Sequence, residues 1–264
     1  MRFLQITDTH FVPPGRTLYD LDPEARLAGL LDLAAREHAE AAFILITGDL
    51  AHFGEEAAYG SLRRALAAAH RPVRLMMGNH DARGPFRAVF AEAGETTDGF
   101  VQFAVEGEDA TLLCLDTLDD RPGEHAGELC DARLSWLADR VAALPPMRDW
   151  LLALHHPPLA LGLPNMDEIA LAPRWSEALW EAIAARPPAA IFCGHVHRPI
   201  HGVWRGVPFH IQRGVNHQVA YAPTREPALT FAEAPPALAD VSFGDRGLVV
   251  HTREWAPDRR RFPA

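Results

Sequence analysis

Short apolar runs of strand length alternate along the chain with segments in which apolar residues recur at helical spacing. Residues 3–6 predict a first strand, and the unbroken apolar run 43–46 predicts a strand that is covered on both faces. Between them, residues 22–38 have an amphipathic pattern that begins with a capping Asp22 followed by Pro23. This alternation is typical of βα units and predicts an α/β protein with a largely parallel or mixed sheet.

The same alternation continues through the rest of the chain. Further helices are predicted around residues 59–66, 131–143 and 175–185. Further strands are predicted at residues 73–76, 100–105, 111–115, 150–154, 190–193, 208–212 and 248–252. The Pro- and Ala-rich stretch 223–238 is interpreted as a cap or subunit-contact segment. We therefore expect a core over residues 1–200, followed over 201–264 by the end of the core sheet and this segment, without an independent second domain.

The composition excludes several classes of protein. Of the 264 residues, 48% are hydrophobic and 23% are charged, which is ordinary for a globular protein and unlike disordered, collagen-like or coiled-coil chains. The net charge of −10 argues against a nucleic-acid polymer as partner, since proteins that bind one present a basic face to its phosphates. The run of basic residues from Arg259 to Arg261 is interpreted as a solvated terminus.

Cysteine usage and the N-terminal sequence bear on the cellular compartment. Cys114, Cys130 and Cys193 are odd in number and lack Cys-x-x-Cys spacing, so neither a disulfide framework nor a cysteine zinc site is expected. The apolar run after Met1 turns acidic at Asp8, too soon for a signal peptide, and no apolar stretch is long enough to span a bilayer. The sequence therefore predicts a cytoplasmic protein without a membrane partner.

Polar clusters follow five of the predicted strands, in a chain that contains 14 histidines. The clusters are Asp8-Thr9-His10, Gly48-Asp49, Gly78-Asn79-His80-Asp81, His155-His156-Pro157-Pro158 and Gly194-His195-Val196-His197. Each one alone is explained by turn chemistry or by hydrogen-bonded histidines. Ligands of open α/β sheets gather outside the carboxyl ends of the strands, so five clusters in that position predict one common site.

The residue types in these clusters are those of a site for two metal ions. Asp8 and His10 leave a strand at i and i+2, so they are expected to bind one ion together, and the same spacing holds for His195 and His197. Asp49 follows an adjacent strand and is suited to bridge two ions. Aspartate, asparagine and histidine without cysteine favour Zn, Mn, Fe or Co. Two such cations outweigh the two carboxylates, and the resulting positive potential suits a phosphate ester.

The motifs D-x-H, G-D, G-N-H-D, H-x-P and G-H-x-H occur in this order between residues 8 and 197, and together they resemble the calcineurin-like metallophosphoesterases. The likeness extends to the bacterial class III cyclic nucleotide phosphodiesterases and the related glycerophosphodiesterases. Residues 155–158 with Met166-Asp167, residues 192–195, and Gly214 with His217-Gln218 are similar to stretches of those proteins. The resemblance implies a four-layer α/β/β/α sandwich of two mixed sheets flanked by helices, with a small C-terminal cap segment.

The resemblance also implies a set of metal ligands. It places Asp8, His10 and His197 on a first ion and Asn79, His155 and His195 on a second, with Asp49 bridging them. His155 rather than His156 is the implied ligand, because the histidine that binds metal in the family stands two residues before the proline. His156 is expected to support the ligands or the structure.

Beside the metal ligands, the resemblance implies residues that act on the substrate. His80, held by Asp81, would stabilise the charge of the phosphoryl group or protonate the leaving group. His217 would contact the substrate phosphate. The implied catalytic residues are thus His80, Asp81 and Asp49, and the implied substrate-binding residues are Asn79, His80 and His217. For His52, which departs from the smaller polar residue of close relatives, contact with substrate and a place at the entrance both stay open.

These implications favour hydrolysis of a small phosphodiester, either a 3′,5′-cyclic nucleotide or a glycerophosphodiester, by in-line attack of a metal-bound hydroxide. The arginine that protein phosphatases of the family carry after Gly-Asp is missing, since residues 50–54 read Leu-Ala-His-Phe-Gly. The alternatives are a phosphomonoesterase or a nuclease of the same fold, and a non-catalytic scaffold. The acidic charge argues against the nuclease, and the complete ligand set argues against the scaffold. By analogy we also expect a homo-oligomer, with the Pro- and Ala-rich segment at the contact.

Overall fold

The computed structural model describes residues 1–93 and 98–256, so the basic run from Arg259 to Arg261 lies outside the described residues. Two large mixed sheets contain most of the strands. The first sheet has the spatial order β13 (Gly247–Glu254), β12 (Ala237–Gly244), β1 (Arg2–Ile6), β2 (Phe43–Ile46) and β3 (Val73–Leu75). The second has the order β4 (Phe103–Glu106), β5 (Ala110–Leu115), β6 (Asp149–Leu154), β7 (Ala190–Cys193), β9 (Val207–Ile211) and β8 (Ile200–Trp204). A separate ladder pairs β10 (Gln218–Val219) with β11 (Phe231–Ala232).

Within both sheets, the strands that lead to the polar clusters run parallel to one another. β1 pairs with β2 and β2 with β3 in parallel, and β6 pairs in the same way with β7. The helices are α1 (Pro23–Glu37), α2 (Glu56–Leu66), α3 (Arg83–Val89), α4 (Asp131–Ala143), α5 (Pro164–Asp167) and α6 (Pro173–Ile183). The Asp22 carboxylate accepts hydrogen bonds from the N–H groups of Glu24 and Ala25, so the predicted cap of α1 is confirmed.

Alternation along each strand divides its side chains between two layers of core. Phe3 of β1 lies between the sheets, where its ring stacks on Phe43 at 5.1 Å and meets the edge of Phe192 at 5.3 Å. Leu4 and Ile6 point the other way and pack in the cluster that includes α1 and α2. A third cluster packs α4 and α6 on the outer face of the second sheet. The four-layer α/β/β/α sandwich is therefore confirmed.

The predicted helices and most predicted strands are confirmed, with ends that shift by a few residues. The strand expected at 100–105 begins only at Phe103, because the N–H of Val101 donates to the Asp116 carboxylate at 2.9 Å instead of to a neighbouring strand. The elements that the pattern does not predict are α3, α5, β8, β10, β11 and β12. In β12, Asp240 interrupts the apolar pattern, and Arg2 of the neighbouring β1 binds it through two hydrogen bonds, at 3.0 and 2.8 Å.

The residues after 200 contribute strands to both large sheets. β9 lies in the second sheet beside β7, whereas β12 and β13 complete the first sheet beside β1. The segment interpreted as a cap therefore ends where β12 begins, at Ala237. The division of the chain at residue 200 stays a prediction. Among the described residues, no helix has the length and apolar character that crossing a membrane requires.

Candidate metal centre

The carboxyl ends of strands from both sheets meet in one place, and the polar clusters lie there. Beyond the end of β1, the N–H of His10 donates to the Asp49 carbonyl at 2.9 Å, so the loops after β1 and β2 stay side by side. The amide of Gln5 in the first sheet donates to the Cys193 carbonyl at the end of β7, at 2.9 Å. These bonds bring the clusters of both sheets to a common edge.

The backbone at the candidate ligands differs from strand geometry. Asp8, His10, Asp49, His195 and His197 all have positive φ, between 46° and 70°, although none of them is glycine. The pleat argument for pairing residues i and i+2 is therefore wrong here, because these residues lie beyond the strand ends in the left-handed conformation. Each such residue costs about 1–3 kcal/mol, so backbone strain is concentrated where the candidate ligands are held.

Two motif glycines allow the ligands to approach the backbone closely. A Cβ on Gly78 would lie 2.2 Å from Oδ1 of Asp49, and a Cβ on Gly48 would lie 2.4 Å from Nδ1 of His155. Gly48 also has a φ of +102°, which side-chain-bearing residues rarely adopt. The ligands themselves thus occupy the space that a side chain at either position would need.

Asp8, His10, Asp49 and His197 form the first of two clusters, and their ligand atoms all lie within 4.8 Å of one another. Nε2 of His10 is 3.0 Å from Nε2 of His197 and 3.4 Å from Oδ2 of Asp49. Oδ1 of Asp8 is 3.5 Å from Nε2 of His197. All four side chains are buried, so these polar atoms face one another without solvent.

Asn79, His155 and His195 form the second cluster, beside the other carboxylate oxygen of Asp49. Oδ1 of Asn79 is 3.2 Å from Nε2 of His155 and 2.8 Å from Nδ1 of His195. Oδ1 of Asp49 is 3.4 Å from Nε2 of His155, while its Oδ2 faces the first cluster. His195 and His197 are divided between the two clusters, which corrects the expectation from their spacing that they bind one ion together.

Backbone carbonyls determine which ring nitrogen of two ligand histidines carries the proton. Nδ1 of His155 donates to the Thr47 carbonyl at 2.7 Å, and Nδ1 of His197 donates to the His217 carbonyl at 2.9 Å. In the neutral rings, Nε2 then has a lone pair on the side of the buried carboxylates. This support by a carbonyl is typical of histidines that bind metals.

The electrostatics of the two clusters favour bound cations. In the part of the chain that the structure describes, the ion-pair partners of Asp8 and Asp49 are histidines alone. Burial raises the pKa of Asp8; burial also opposes the protonation of His155, but the two carboxylates raise its pKa to about 9. Oδ2 of Asp8 and Nε2 of His195 are buried without a hydrogen-bond partner. This set of oxygen and nitrogen donors fits two metal ions.

His156 lies beside His155, but both of its ring nitrogens are occupied. Nε2 is 3.2 Å from the His125 carbonyl, which requires a donated proton. Nδ1 is 2.8 Å from the hydroxyl of Thr117 and therefore accepts from it. These bonds leave His156 no lone pair for a metal, which agrees with the choice of His155 as the ligand.

Asp81 does not hold His80, so this part of the expectation is wrong. The buried Asp81 carboxylate accepts hydrogen bonds of 2.9–3.1 Å from three backbone N–H groups and one hydroxyl, those of Leu50, Ala51, Gly78 and Tyr59. Burial, together with the charge of Asp49, raises the pKa of Asp81 to about 6. Asp81 thus joins the loops that follow β2 and β3, because its carboxylate is committed to their backbone.

The His80 ring is held by a backbone carbonyl instead. Its Nδ1 donates to the His52 carbonyl at 2.8 Å, and its backbone N–H donates to Oδ1 of Asp49 at 2.9 Å. The His52 ring stacks on the His80 ring, with centroids 4.7 Å apart. His80 is half-buried, whereas the aspartate and histidine ligands are buried, so it is open to a molecule that enters from solvent.

His217 lies against the first cluster, with its ring centroid 4.8 Å from that of His10 and 4.4 Å from that of His197. Nδ1 of His217 accepts a hydrogen bond from the Asn216 amide at 3.3 Å, so Nε2 carries the proton in the neutral ring. Burial and the neighbouring histidines lower the pKa of His217 to about 2. The ring is therefore neutral near pH 7 and has one N–H to offer to an anion.

Two residues outside the five motifs, His125 and Tyr59, support the site through hydrogen bonds. The Asn79 amide donates to Nδ1 of His125 at 3.1 Å, which turns the amide oxygen toward the second cluster. The Tyr59 hydroxyl donates to Asp81 and accepts from the N–H of Ala82 at 2.8 Å. Neither residue stands in a motif or at a strand end, and His125 is 46 residues from Asn79, so only the folded chain brings them to the site.

Known proteins are similar to this chain in sequence. The sequence model described as calcineurin-like phosphoesterase matches residues 1–199. The chain is 47% identical over 263 residues to a protein of Rhodopseudomonas palustris named as a probable cyclic nucleotide phosphodiesterase, covering 99% of this chain and 95% of that protein. It is 32% identical over 208 residues to the 3′,5′-cyclic adenosine monophosphate phosphodiesterase CpdA of Escherichia coli K12, covering 78% of this chain and 73% of that protein.

Among solved structures, the fold is similar to that of the purple acid phosphatase PPD1 from yellow lupin. The TM-score is 0.69 at 13% sequence identity, over 98% of this chain and 52% of that chain, so this likeness concerns the fold alone. The family match is more specific, because residues 1–199 include all seven candidate metal ligands. This chain belongs to the calcineurin-like phosphoesterase family.

Proposed function

We propose that this chain is a metal-dependent hydrolase of small phosphodiesters. The observation that carries the proposal is the meeting of six candidate ligands around the two carboxylate oxygens of Asp49, with His80 and His217 beside them. The two relatives from Rhodopseudomonas palustris and Escherichia coli, both named as cyclic nucleotide phosphodiesterases, support the same class of reaction.

Each metal ion would have its own set of ligands. Asp8, His10 and His197 would hold the first ion and Asn79, His155 and His195 the second, and Asp49 would serve both through its two oxygens. When bound, the two ions supply Lewis-acid polarisation of the phosphoryl group and activation of the attacking water. The protein holds the ligand histidines in one tautomer, through the Thr47 and His217 carbonyls, so that little rearrangement is needed on binding.

Three residues of the chain would act on the substrate. Nδ1 of His80 donates to the His52 carbonyl, so in the doubly protonated ring the second N–H, on Nε2, would give a proton to the leaving oxygen or stabilise phosphoryl charge. The Nε2–H of His217 would bind a phosphoryl oxygen. One amide N–H of Asn79 is used by His125, and the other is available for a substrate oxygen. Asp81 would act through the loops that it joins and not on the reacting groups.

The expected metals, the cap segment, the oligomeric state and the cellular location are also part of this proposal. The donor set suits Fe, Mn, Zn or Co. Residues 223–236 would form the cap, because Phe231 of β11 contacts the His217 ring at 4.8 Å. A homo-oligomer with this segment at the contact and a cytoplasmic location stay predictions, which light scattering and cell fractionation test.

Activity measurements on one preparation test the proposed reaction. The protein would be stripped with a chelator and reconstituted separately with Mn²⁺, Fe²⁺, Zn²⁺ or Co²⁺. The substrates would be 3′,5′-cAMP, 2′,3′-cAMP, glycerophosphoethanolamine, bis(p-nitrophenyl) phosphate and the monoester p-nitrophenyl phosphate. We expect activity only in reconstituted samples, and turnover of diesters well ahead of the monoester.

Each contrary outcome overturns a defined part of the proposal. Equal rates in stripped and reconstituted protein would remove the metal requirement. A faster monoester reaction would make the protein a phosphomonoesterase. Binding of duplex DNA with a steep salt dependence would favour the nuclease. Protein that binds no metal and turns over no substrate with any metal would be a scaffold.

A further inference from the structure

Exposed aromatic side chains gather around the candidate metal centre. In the part of the chain that the structure describes, seven large apolar side chains are exposed, and four of them are aromatic, namely Tyr19, Phe53, Tyr221 and Phe231. All of these except Tyr221 have ring contacts with histidines of the site. Exposed apolar surface is unfavourable in water, so its concentration beside a site indicates a ligand that covers it.

Tyr19 and Phe231 form a two-ring wall beside His217. Their rings stack on each other with centroids 5.0 Å apart and an interplanar angle of 28°. Each ring also meets His217 nearly edge to face, at 4.8 Å in both cases. His217, which is proposed to bind a phosphoryl oxygen, therefore contacts both rings of this wall. Tyr19 is 48% exposed and Phe231 is 38% exposed.

Phe53 is a third exposed ring, and it contacts the site through His52. Its ring is 69% exposed and lies 4.4 Å from the His52 ring. His52 in turn stacks on His80 and lies 6.1 Å from Tyr19. Tyr19 and Phe231 thus contact His217 directly, whereas Phe53 contacts His52, which stacks on His80.

The backbone at Tyr19 is strained in a way that places its ring. Leu18 and Leu21 exchange two backbone hydrogen bonds, of 2.9 and 3.0 Å, around the central residues Tyr19 and Asp20. Those two residues have φ of 55° and 60°, values that two-residue turns usually assign to glycine or asparagine. A bulky ring at positive φ is unfavourable locally and is expected to persist where its position serves a function.

We propose that Tyr19, Phe231 and Phe53 form the binding site for the nucleobase of a nucleoside cyclic phosphate. This inference rests on the proposed function and names the substrate class within it. A base that extends from the phosphoryl group toward solvent would meet the exposed rings next to His217 and His80. Glycerol and ethanolamine groups have no planar face, so the rings would give them no comparable contact.

In the described part of the chain, no cation covers these three rings, and Tyr19 and Phe231, which stack on each other through one face, each have a second face for a base. Among the described residues, Tyr221 has Arg198 over its ring at 5.3 Å, whereas Tyr19, Phe53 and Phe231 have no cation in that position. Stacking on an aromatic side chain accepts every base, because every base has a π-face. The site should therefore favour nucleoside phosphates while it discriminates weakly between adenine and guanine.

The test compares two diesters in ring variants of the Mn²⁺-reconstituted protein. In Tyr19→Ala and Phe231→Ala, kcat/KM for 3′,5′-cAMP should fall about ten- to hundredfold, while that for glycerophosphoethanolamine should change by less than about twofold. Tyr19→Phe keeps the ring and should match the wild type on both substrates. Tyr221→Ala removes an exposed tyrosine that has no ring contact with the histidines of the site, so kcat/KM should stay unchanged for both substrates.

Calorimetric binding of 5′-AMP and of inorganic phosphate separates this inference from the proposed function. Ring variants that bind AMP about ten- to hundredfold more weakly, with phosphate binding unchanged, support the base site even if the wild type hydrolyses neither diester. An equal loss on both diesters, or unchanged cAMP kinetics, would overturn it. A wild type that neither binds AMP nor hydrolyses cAMP would overturn it too, whereas turnover of glycerophosphoethanolamine alone would leave the diesterase proposal standing. Should Tyr19→Ala fail to fold, Phe231→Ala carries the same comparison.

Discussion

The Nδ1 atoms of His10 and His52 lie 3.0 Å apart, so one of them donates a hydrogen bond and the other accepts it. Burial, together with the neighbouring His80, lowers the pKa of His52 to about 4, so its ring is neutral near pH 7 and has a lone pair to offer. With Nδ1 of His10 as the donor, Nε2 of His10 has its lone pair beside Asp49 and His197. In that tautomer, which a metal ligand at Nε2 of His10 requires, His52 would orient His10 as backbone carbonyls orient other ligand histidines.

His52→Ala should weaken metal binding, because Nδ1 of His10 would lose its acceptor and the ring would be free to turn. Loss of such a partner typically lowers metal affinity about ten- to hundredfold. Competition with a chromogenic chelator measures the affinity, and His251→Ala on the exposed side of β13 is the matched control. Equal affinity in His52→Ala and the wild type would show that His52 does not position His10.

Asp49→Ala should lose both metal ions and all metal-dependent activity, because one carboxylate faces both clusters. Its two oxygens each lie 3.4 Å from a ligand nitrogen, Nε2 of His10 on one side and Nε2 of His155 on the other. Elemental analysis of the purified protein measures the metal content. The exposed Asp32→Ala in α1 should bind metal as the wild type does. Retention of both ions by Asp49→Ala would contradict the bridging role.

His80→Ala should keep its metal content but lower kcat about 10²- to 10⁴-fold, the range expected when a positioned proton donor is removed. His80 is half-buried and its Nδ1 donates to the His52 carbonyl, and it is proposed to act on the substrate and not as a metal ligand. Elemental analysis and steady-state kinetics on the same sample separate the two effects. Loss of metal together with activity would instead make His80 part of the ligand framework.

Gly78→Ala should disrupt the site, whereas Gly84→Ala should not. A Cβ at Gly78 would lie 2.2 Å from Oδ1 and 2.3 Å from the backbone nitrogen of Asp49, while one at Gly84 in α3 meets nothing within 4 Å. Overpacking of this kind costs about 1–3 kcal/mol, and it would displace the bridging carboxylate. Urea unfolding and metal titration of both variants measure the outcome. A Gly78→Ala protein with wild-type affinity would show that the loop after β3 can shift.

His210 lies away from the metal clusters, and its titration makes the free energy of unfolding depend on pH. It is 3% exposed, its Nδ1 lies 2.9 Å from Nδ1 of His201, and its Nε2 has no partner. Burial, with the neighbouring His201, lowers the pKa of His210 to about 3. Between that value and the ordinary histidine pKa of about 6.5, the unfolded chain binds a proton that the folded chain does not. The free energy of unfolding therefore falls as the pH falls through this window.

His210→Gln removes the titrating ring, so its stability should fall less in acid. Between about pH 7.5 and pH 5.5, the loss of unfolding free energy should be about 1.4 kcal/mol smaller than in the wild type. Urea unfolding at both pH values gives this difference, and the exposed His251→Ala is the control. Parallel losses in His210→Gln and the wild type would contradict the shifted pKa of His210.

Local signals in the sequence account for the elements that could be predicted. The cap at Asp22 and the spacing behind it lie within one segment, so α1 could be predicted from that segment alone. β12 could not, because its Asp240 is stabilised by Arg2, 238 residues away, and its strand partners lie at opposite ends of the chain. An apolar pattern in the sequence indicates only which residues are buried. β12 is instead stabilised by its hydrogen bonds to β1 and β13 and by the ion pair between Asp240 and Arg2.

The candidate site divides in the same way. The sequence by itself determined which side chains are available and that they follow strand ends, because hydrophobic period and motif spacing are properties of neighbouring residues. Only the tertiary structure decided how these side chains are oriented. It gives Asp8 a left-handed backbone, places His195 and His197 in different clusters, and uses the Asp81 carboxylate to join two loops. These outcomes depend on hydrogen bonds and steric contacts between segments that meet only when both sheets are packed, and no local pattern encodes them.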